Sequence, residues 1–182
     1  MIGEQAQRRR SGSILVCPLS AVPYLVPHSK ASRLVTCLQE EIAVARPEGI
    51  AADKHLRLPV HDITMTMPGC IAPSPGHIAA LIAFAHAWDG EGTMIVHCWA
   101  GISRSTAAAF TALCAINPHA CERAIATRLR QASPTAQPNR LMVEIADRTL
   151  GRNGRMLSAL EAIGPGRYAS EATPFALPAD QS

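Results

Sequence analysis

Short β-branched runs alternate along this chain with longer stretches whose apolar residues recur at helical spacing. Residues 13–17 form an apolar run closed by Pro18 and read as a first strand. Residues 34–38 form a second, and 55–60 alternate well enough for a third that delivers Asp62 at its C-terminal end. The turn chemistry of Arg46-Pro47-Glu48-Gly49 separates those two. Residues 63–76, rich in proline and glycine, predict a loop of some length. Ser74-Pro75 then supplies a helix N-cap and a first-turn proline. Ile78, Leu81, Ile82, Ala85 and Trp88 follow at helical spacing, and Gly90 marks the stop. Residues 93–96 read as a buried strand, and 104–116 as a helix rich in alanine. Asn117-Pro118 opens another helix reaching residue 131, residues 132–138 form a loop, and Leu141, Ile145 and Leu150 mark a further helix.

Strands alternating with helices predict an α/β fold, a single domain with a central, mostly parallel sheet of about four to five strands flanked by helices on both faces. We expect a disordered N-terminus over 1–12, a domain over 13–163, and an irregular tail rich in Pro, Gly and Ala over 164–182. Residues 18–33, with Pro18, Pro23 and Pro27, read as a loop.

Composition narrows the function classes. In 182 residues, 48% are hydrophobic, enough for a proper core. The 17 basic and 14 acidic residues leave a net charge of +3, and the only basic tract is Arg8-Arg9-Arg10, so no nucleic-acid binding is expected. No apolar run approaches the roughly 20 residues that span a bilayer. The stretch 13–27 follows those arginines as a signal peptide would, but it carries three prolines, a tyrosine and no clean cleavage signal. A cytoplasmic protein without membrane attachment is the expectation. Six cysteines are present, yet no CxxC spacing, and a zinc site is not expected. Cys17, Cys37 and Cys114 lie in apolar segments and read as packing residues.

The chemistry concentrates in His97-Cys98-Trp99-Ala100-Gly101-Ile102-Ser103-Arg104-Ser105-Thr106. A cysteine and an arginine separated by five residues bracket a loop between an apolar strand and a helix. Such a loop sits at the C-terminal edge of a parallel strand, where α/β proteins bind ligands. The helix N-terminus adds positive potential and free N–H donors, which bind phosphate and favour a thiolate. Gly101 permits the tight turn in which successive amides point inward, and Arg104 offers a planar fork to two phosphate oxygens. The stretch reads as a phosphate-handling nucleophile.

This segment resembles the signature of the protein tyrosine phosphatase superfamily, His-Cys, five residues, Arg, Ser/Thr, and most of all its compact dual-specificity branch and bacterial relatives. The tight match spans 93–110 and the looser one 13–155. The resemblance implies a phosphatase-type fold and phosphomonoester hydrolysis through a phosphocysteine. It makes Cys98 the nucleophile and Arg104 the group that holds the equatorial oxygens. Ser105 matches the hydroxyl that steadies the thiolate. Trp99, Ala100, Gly101, Ile102 and Ser103, with Arg104, form the phosphate-binding loop. His97 matches an invariant position, where it shapes the loop and is not a base. Asn139, in Pro138-Asn139, supports the loop from behind in the family; a plain helix N-cap is the other reading.

Such chemistry needs a carboxylic acid over the pocket. Asp89 and Glu91 precede the Cys98 strand and Asp53 begins the third strand, all at the wrong edge of the sheet. Asp62 follows the third strand at the same edge as Cys98, before a proline-rich loop, and is the expected general acid. No metal or cofactor is required, since Arg104 and the loop amides neutralise the phosphate.

The partner expected is a phosphorylated protein, with phosphotyrosine first and dual specificity next, or a small phosphoester. The uncharged Trp99, Ala100, Ile102 and Ser103 argue against a multiply phosphorylated lipid or an RNA triphosphate. The alternatives are a phosphatase of a non-protein ester (phosphoinositide, nucleotide or RNA end) and a pseudophosphatase that binds phosphate with weak turnover. Rhodaneses and arsenate reductases share the cysteine loop, but they close it differently or carry it near the N-terminus. Trp99 either stacks on a substrate ring or packs on the Asp62 loop, and Cys70 is a candidate to resolve an oxidised Cys98.

Overall fold

The computed structural model describes residues 11–181. Four parallel strands, β1 (Ser13–Pro18), β2 (Ala31–Cys37), β3 (His55–Leu58) and β4 (Thr93–Cys98), carry the core, and a fifth, β5 (Phe175–Pro178), runs antiparallel beside β1. Their order is β3-β2-β4-β1-β5. The centre falls to β4, whose six residues are all buried, as a strand covered on both faces must be.

Alternation along the strands sorts side chains between two cores. Ile14, Val16, Val35, Met94, Val96 and Cys98 face a large cluster built with the helices α2 (Pro75–His86), α3 (Arg104–Ile116), α4 (Glu122–Ala132), α5 (Arg140–Thr149) and α6 (Arg155–Ile163). Cys17, Leu34 and Ile95 face the other way, where the short helix α1 (Val22–His28) closes a small cluster with Val22 and Val26. All thirteen residues of α3 are buried. Its alanines make this possible, because small side chains let a helix lie close to the sheet and to neighbouring helices at once. Helix α3 therefore runs through the middle of the molecule, with its N-terminus at the end of β4.

Three elements depart from the sequence reading. Residues 22–28, expected as loop, form α1: Pro23 sits in the first turn, where its missing N–H costs no helical bond. Helix α6 has no counterpart in the expectations, although Asp147 accepts from the Gly154 and Met156 amides and so caps its first turn. The tail expected to be irregular over 164–182 contains β5, which pairs with β1 from Ser13↔Pro178 to Val16↔Phe175 and buries Leu177. Pairing to an existing edge, rather than local preference, makes that strand. The expected N-terminal disorder over 1–10 lies outside the described residues, whereas Gly12 is fixed by donating to Gly90 O and accepting from Ala179 N. Among the described residues no helix is long and apolar enough to cross a membrane.

Candidate active site

The strand order brings the C-terminal ends of β1, β2, β3 and β4 to one edge, and the loop from Cys98 to Arg104 lies across it. Gly101 adopts φ +72°, and a Cβ there would lie 2.8 Å from both Cys17 C and Pro18 N. The loop thus presses its backbone onto the end of β1, and only glycine satisfies both constraints.

The carbonyls of the loop are tied outward. Trp99 O accepts from Leu19 N and Ala100 O from Ala172 N. Ile102 O accepts from Gln137 N and Thr106 Oγ1, and Ser103 O from Ala107 N and Asn139 N. No peptide among the described residues is cis, so the amide following each carbonyl points the opposite way. The N–H groups of Ala100, Gly101, Ser103 and Arg104 accordingly point away from the donors that hold the preceding carbonyls. An anion nest at a helix N-terminus requires amides so freed from their own carbonyls' partners.

Cys98, buried, places its Sγ 3.2 Å from Ser105 Oγ. The two thiols on neighbouring strands serve packing. Burial pushes Cys17 up to about 12, with Cys98 adding to the rise, and burial likewise raises Cys37. All six cysteines are free, and Cys17, Cys37 and Cys114 are buried as their apolar segments predict. Cys70 is half-buried in a turn, where its amide donates to Met67 O.

Arg104 reaches back beneath the sheet edge. Its Nη1 donates to Val60 O at 2.9 Å and to Gln39 Oε1 at 3.1 Å, while its buried Nε has no hydrogen-bond partner. Asp62 stands on the far side, with Oδ2 3.8 Å from that Nε. Its other oxygen is held: Oδ1 accepts from Ser103 Oγ at 2.7 Å and from Asn139 Nδ2 at 2.9 Å. Asn139 performs two tasks with one amide, since its Oδ1 caps α5 by accepting from Met142 N. Both readings of Asn139 thus have a physical counterpart, except that the side chain grips the Asp62 segment while its backbone N–H holds Ser103 O.

His97 lies fully buried, with Nε2 2.7 Å from Thr36 Oγ1, which also meets His55 Nε2 at 2.8 Å. Burial, helped by the nearby His55 and Arg57, pushes the imidazole down to about 4. A neutral, enclosed ring is no base for the reaction. It does impose an acid limit on stability. The unfolded chain takes up this proton near 6.5, the folded chain only near 4. The stability His97 contributes is therefore complete above the first value and is lost as pH falls towards the second, by about 3 kcal/mol. His55 and His77, also lowered by burial, act in the same direction. Thermal melting across that interval should show the loss, and His97→Asn should flatten the slope without abolishing it.

Trp99 in the loop and Met65 and Met67 on the segment after Asp62 are exposed large apolar side chains. An open depression of about 380 Å³ borders that segment, lined by Asp62, Met65, Met67, Ser103, Pro138 and Arg140 among others. No cluster of three or more metal-ligating side chains occurs among the described residues.

No protein-family model and no curated protein matches the sequence. Solved structures do. DUSP15 superposes with a TM-score of 0.58, covering 84% of this chain and 95% of that one at 18% identity. The chain has the dual-specificity phosphatase fold. Human DUSP28 gives a TM-score of 0.59 over 77% of this chain and 92% of its own, again at 18% identity. PTPMT1 in complex with PI(5)P gives 0.56 over 77% and 91% at 17% identity.

Within this phosphatase fold, the residues singled out by sequence come to one place. Cys98 meets Ser105, while Arg104, Ser103 and Asn139 converge on Asp62; His97 precedes Cys98 on β4 and bonds to Thr36. Sequence reasoning missed Gln39, Thr36 and the Val60 carbonyl. Gln39 and Thr36 are uncharged residues near the end of β2, with no spacing or motif to mark them.

Proposed function

We propose that the protein hydrolyses phosphomonoesters through a phosphocysteine, with Cys98 as nucleophile, Arg104 and the loop amides as phosphate cradle, and Asp62 as acid and base. The observation that carries this is the buried Arg104 Nε, which has no hydrogen-bond partner and only the Asp62 carboxyl 3.8 Å away. A buried donor left unpaired is costly, and a phosphate oxygen would satisfy it.

In the first step the Cys98 thiolate attacks phosphorus. The S–P bond forms, the P–O bond to the leaving group breaks, and the Asp62 proton passes to the departing oxygen. Developing charge on the equatorial oxygens meets the amides and the Arg104 guanidinium, already aligned. In the second step the Asp62 carboxylate takes a proton from water, which attacks phosphorus and expels the Cys98 thiolate. Ser105 Oγ, 3.2 Å away, donates to that leaving sulfur. No step needs a metal.

The substrate class we favour is a singly phosphorylated protein side chain, phosphotyrosine foremost. The variable loop positions carry no charge for further phosphates, and the exposed apolar side chains of Trp99, on the loop, and of Met65 and Met67, beside Asp62, suit an aromatic ester. PTPMT1 holds PI(5)P in its structure, which makes phosphoinositides the second class to assay. The test is hydrolysis of p-nitrophenyl phosphate in the presence of chelator. Turnover inhibited by vanadate is expected; turnover that chelator abolishes would overturn the mechanism.

A further inference from the structure

We infer that Gln39 is a positioning residue for Arg104, fixing which edge of the guanidinium meets the phosphate. The inference rests on the phosphatase reading above and extends it to a residue at the end of β2.

A guanidinium rotated about its side-chain bonds can present several pairs of N–H groups, and only some combinations match two phosphate oxygens. Here Nη1 is fully engaged. Its two hydrogens go to Val60 O at 2.9 Å and to Gln39 Oε1 at 3.1 Å. What remains is the opposite edge, Nε with the adjoining Nη2 hydrogen, and Nε is the buried donor without a partner. Gln39 and the Val60 carbonyl together turn that edge towards the nest. The carbonyl alone leaves the guanidinium free to swing about one bond; the second acceptor, from a different strand end, removes that freedom.

The residue type matters as much as its place. Glu40 and Glu41 follow immediately and are exposed. A carboxylate at position 39 would hold the same fork but cancel its charge, weakening the attraction for a dianionic phosphate. The glutamine carbonyl accepts the bond and leaves the charge whole. Asp62 is then the single carboxylate paired with Arg104 among the described residues, at 3.8 Å from Nε.

A double-mutant cycle tests this, using wild type, Gln39→Met, Arg104→Lys and the combination. Gln39→Met keeps the length and bulk of the side chain and removes the acceptor. It should lower kcat/KM for p-nitrophenyl phosphate by about tenfold and raise the vanadate inhibition constant by a similar factor. In the Arg104→Lys background, which has no fork to orient, the same change should alter kcat/KM by less than about twofold. Melting curves establish that each variant is folded; should Gln39→Met fail to fold, Gln39→Ala closes the cycle. A folded single variant that matches wild type overturns the inference. So does an equal loss in both backgrounds, because Gln39 would then act through packing. A wild-type chain that neither turns over nor binds vanadate overturns the phosphatase reading itself, and with it this role.

Discussion

Cys98→Ser should lose turnover of p-nitrophenyl phosphate by at least about a thousandfold while keeping its affinity for inorganic phosphate within a few fold. The two halves of that result come from separate parts of the loop. In the proposed mechanism phosphate is held by the loop amides and by Arg104, which the substitution leaves in place. Nucleophilic attack depends on an anionic atom at position 98, and a serine hydroxyl beside Ser105 Oγ has no base to take its proton. His97, the nearest imidazole in sequence, is buried and held neutral. Rapid acid quench followed by mass spectrometry should find the phosphoryl adduct on Cys98 of the wild type and none on the variant. Retained turnover in Cys98→Ser would refute the phosphocysteine pathway.

Asp62→Asn should lower kcat by about a hundredfold or more for esters with poor leaving groups, and much less for p-nitrophenyl phosphate. An asparagine carbonyl can still accept from Ser103 and Asn139, so the segment keeps its position and only the transferable proton is lost. A leaving group that departs readily as an anion has little need of that proton. The contrast between the two esters, read from kcat, therefore separates proton donation from positioning. An equal loss for both esters would assign Asp62 a structural role and require another acid.

The nucleophile loop was legible because its determinants are local: an apolar strand, a cysteine, a glycine, an arginine and a helix follow one another without interruption. Asp62 came from one tertiary inference, that parallel strands deliver their C-terminal ends to a common edge, and the observed order β3-β2-β4-β1 does so. Elements settled by distant partners stayed hidden. The strand β5 begins after Pro174, ends on Pro178 and exists because β1 offers it an edge. Helix α6 was marked only faintly, by Gly154 and Gly164 at its ends and by Met156, Ala159, Leu160 and Ile163 at helical spacing. Gln39 carries no charge and matches no pattern. Its significance arises only when the end of β2 and the N-terminus of α3 are brought together.

The bond from Ala172 N to Ala100 O has a consequence for how the protein comes into being. During synthesis Cys98 and Arg104 leave the ribosome well before residue 172 does. A nascent chain therefore displays the whole signature while one carbonyl of its phosphate cradle still lacks the partner that turns it outward. The loop on which the proposed chemistry depends is therefore tied down only after residue 172 has been made and β5 has paired with β1.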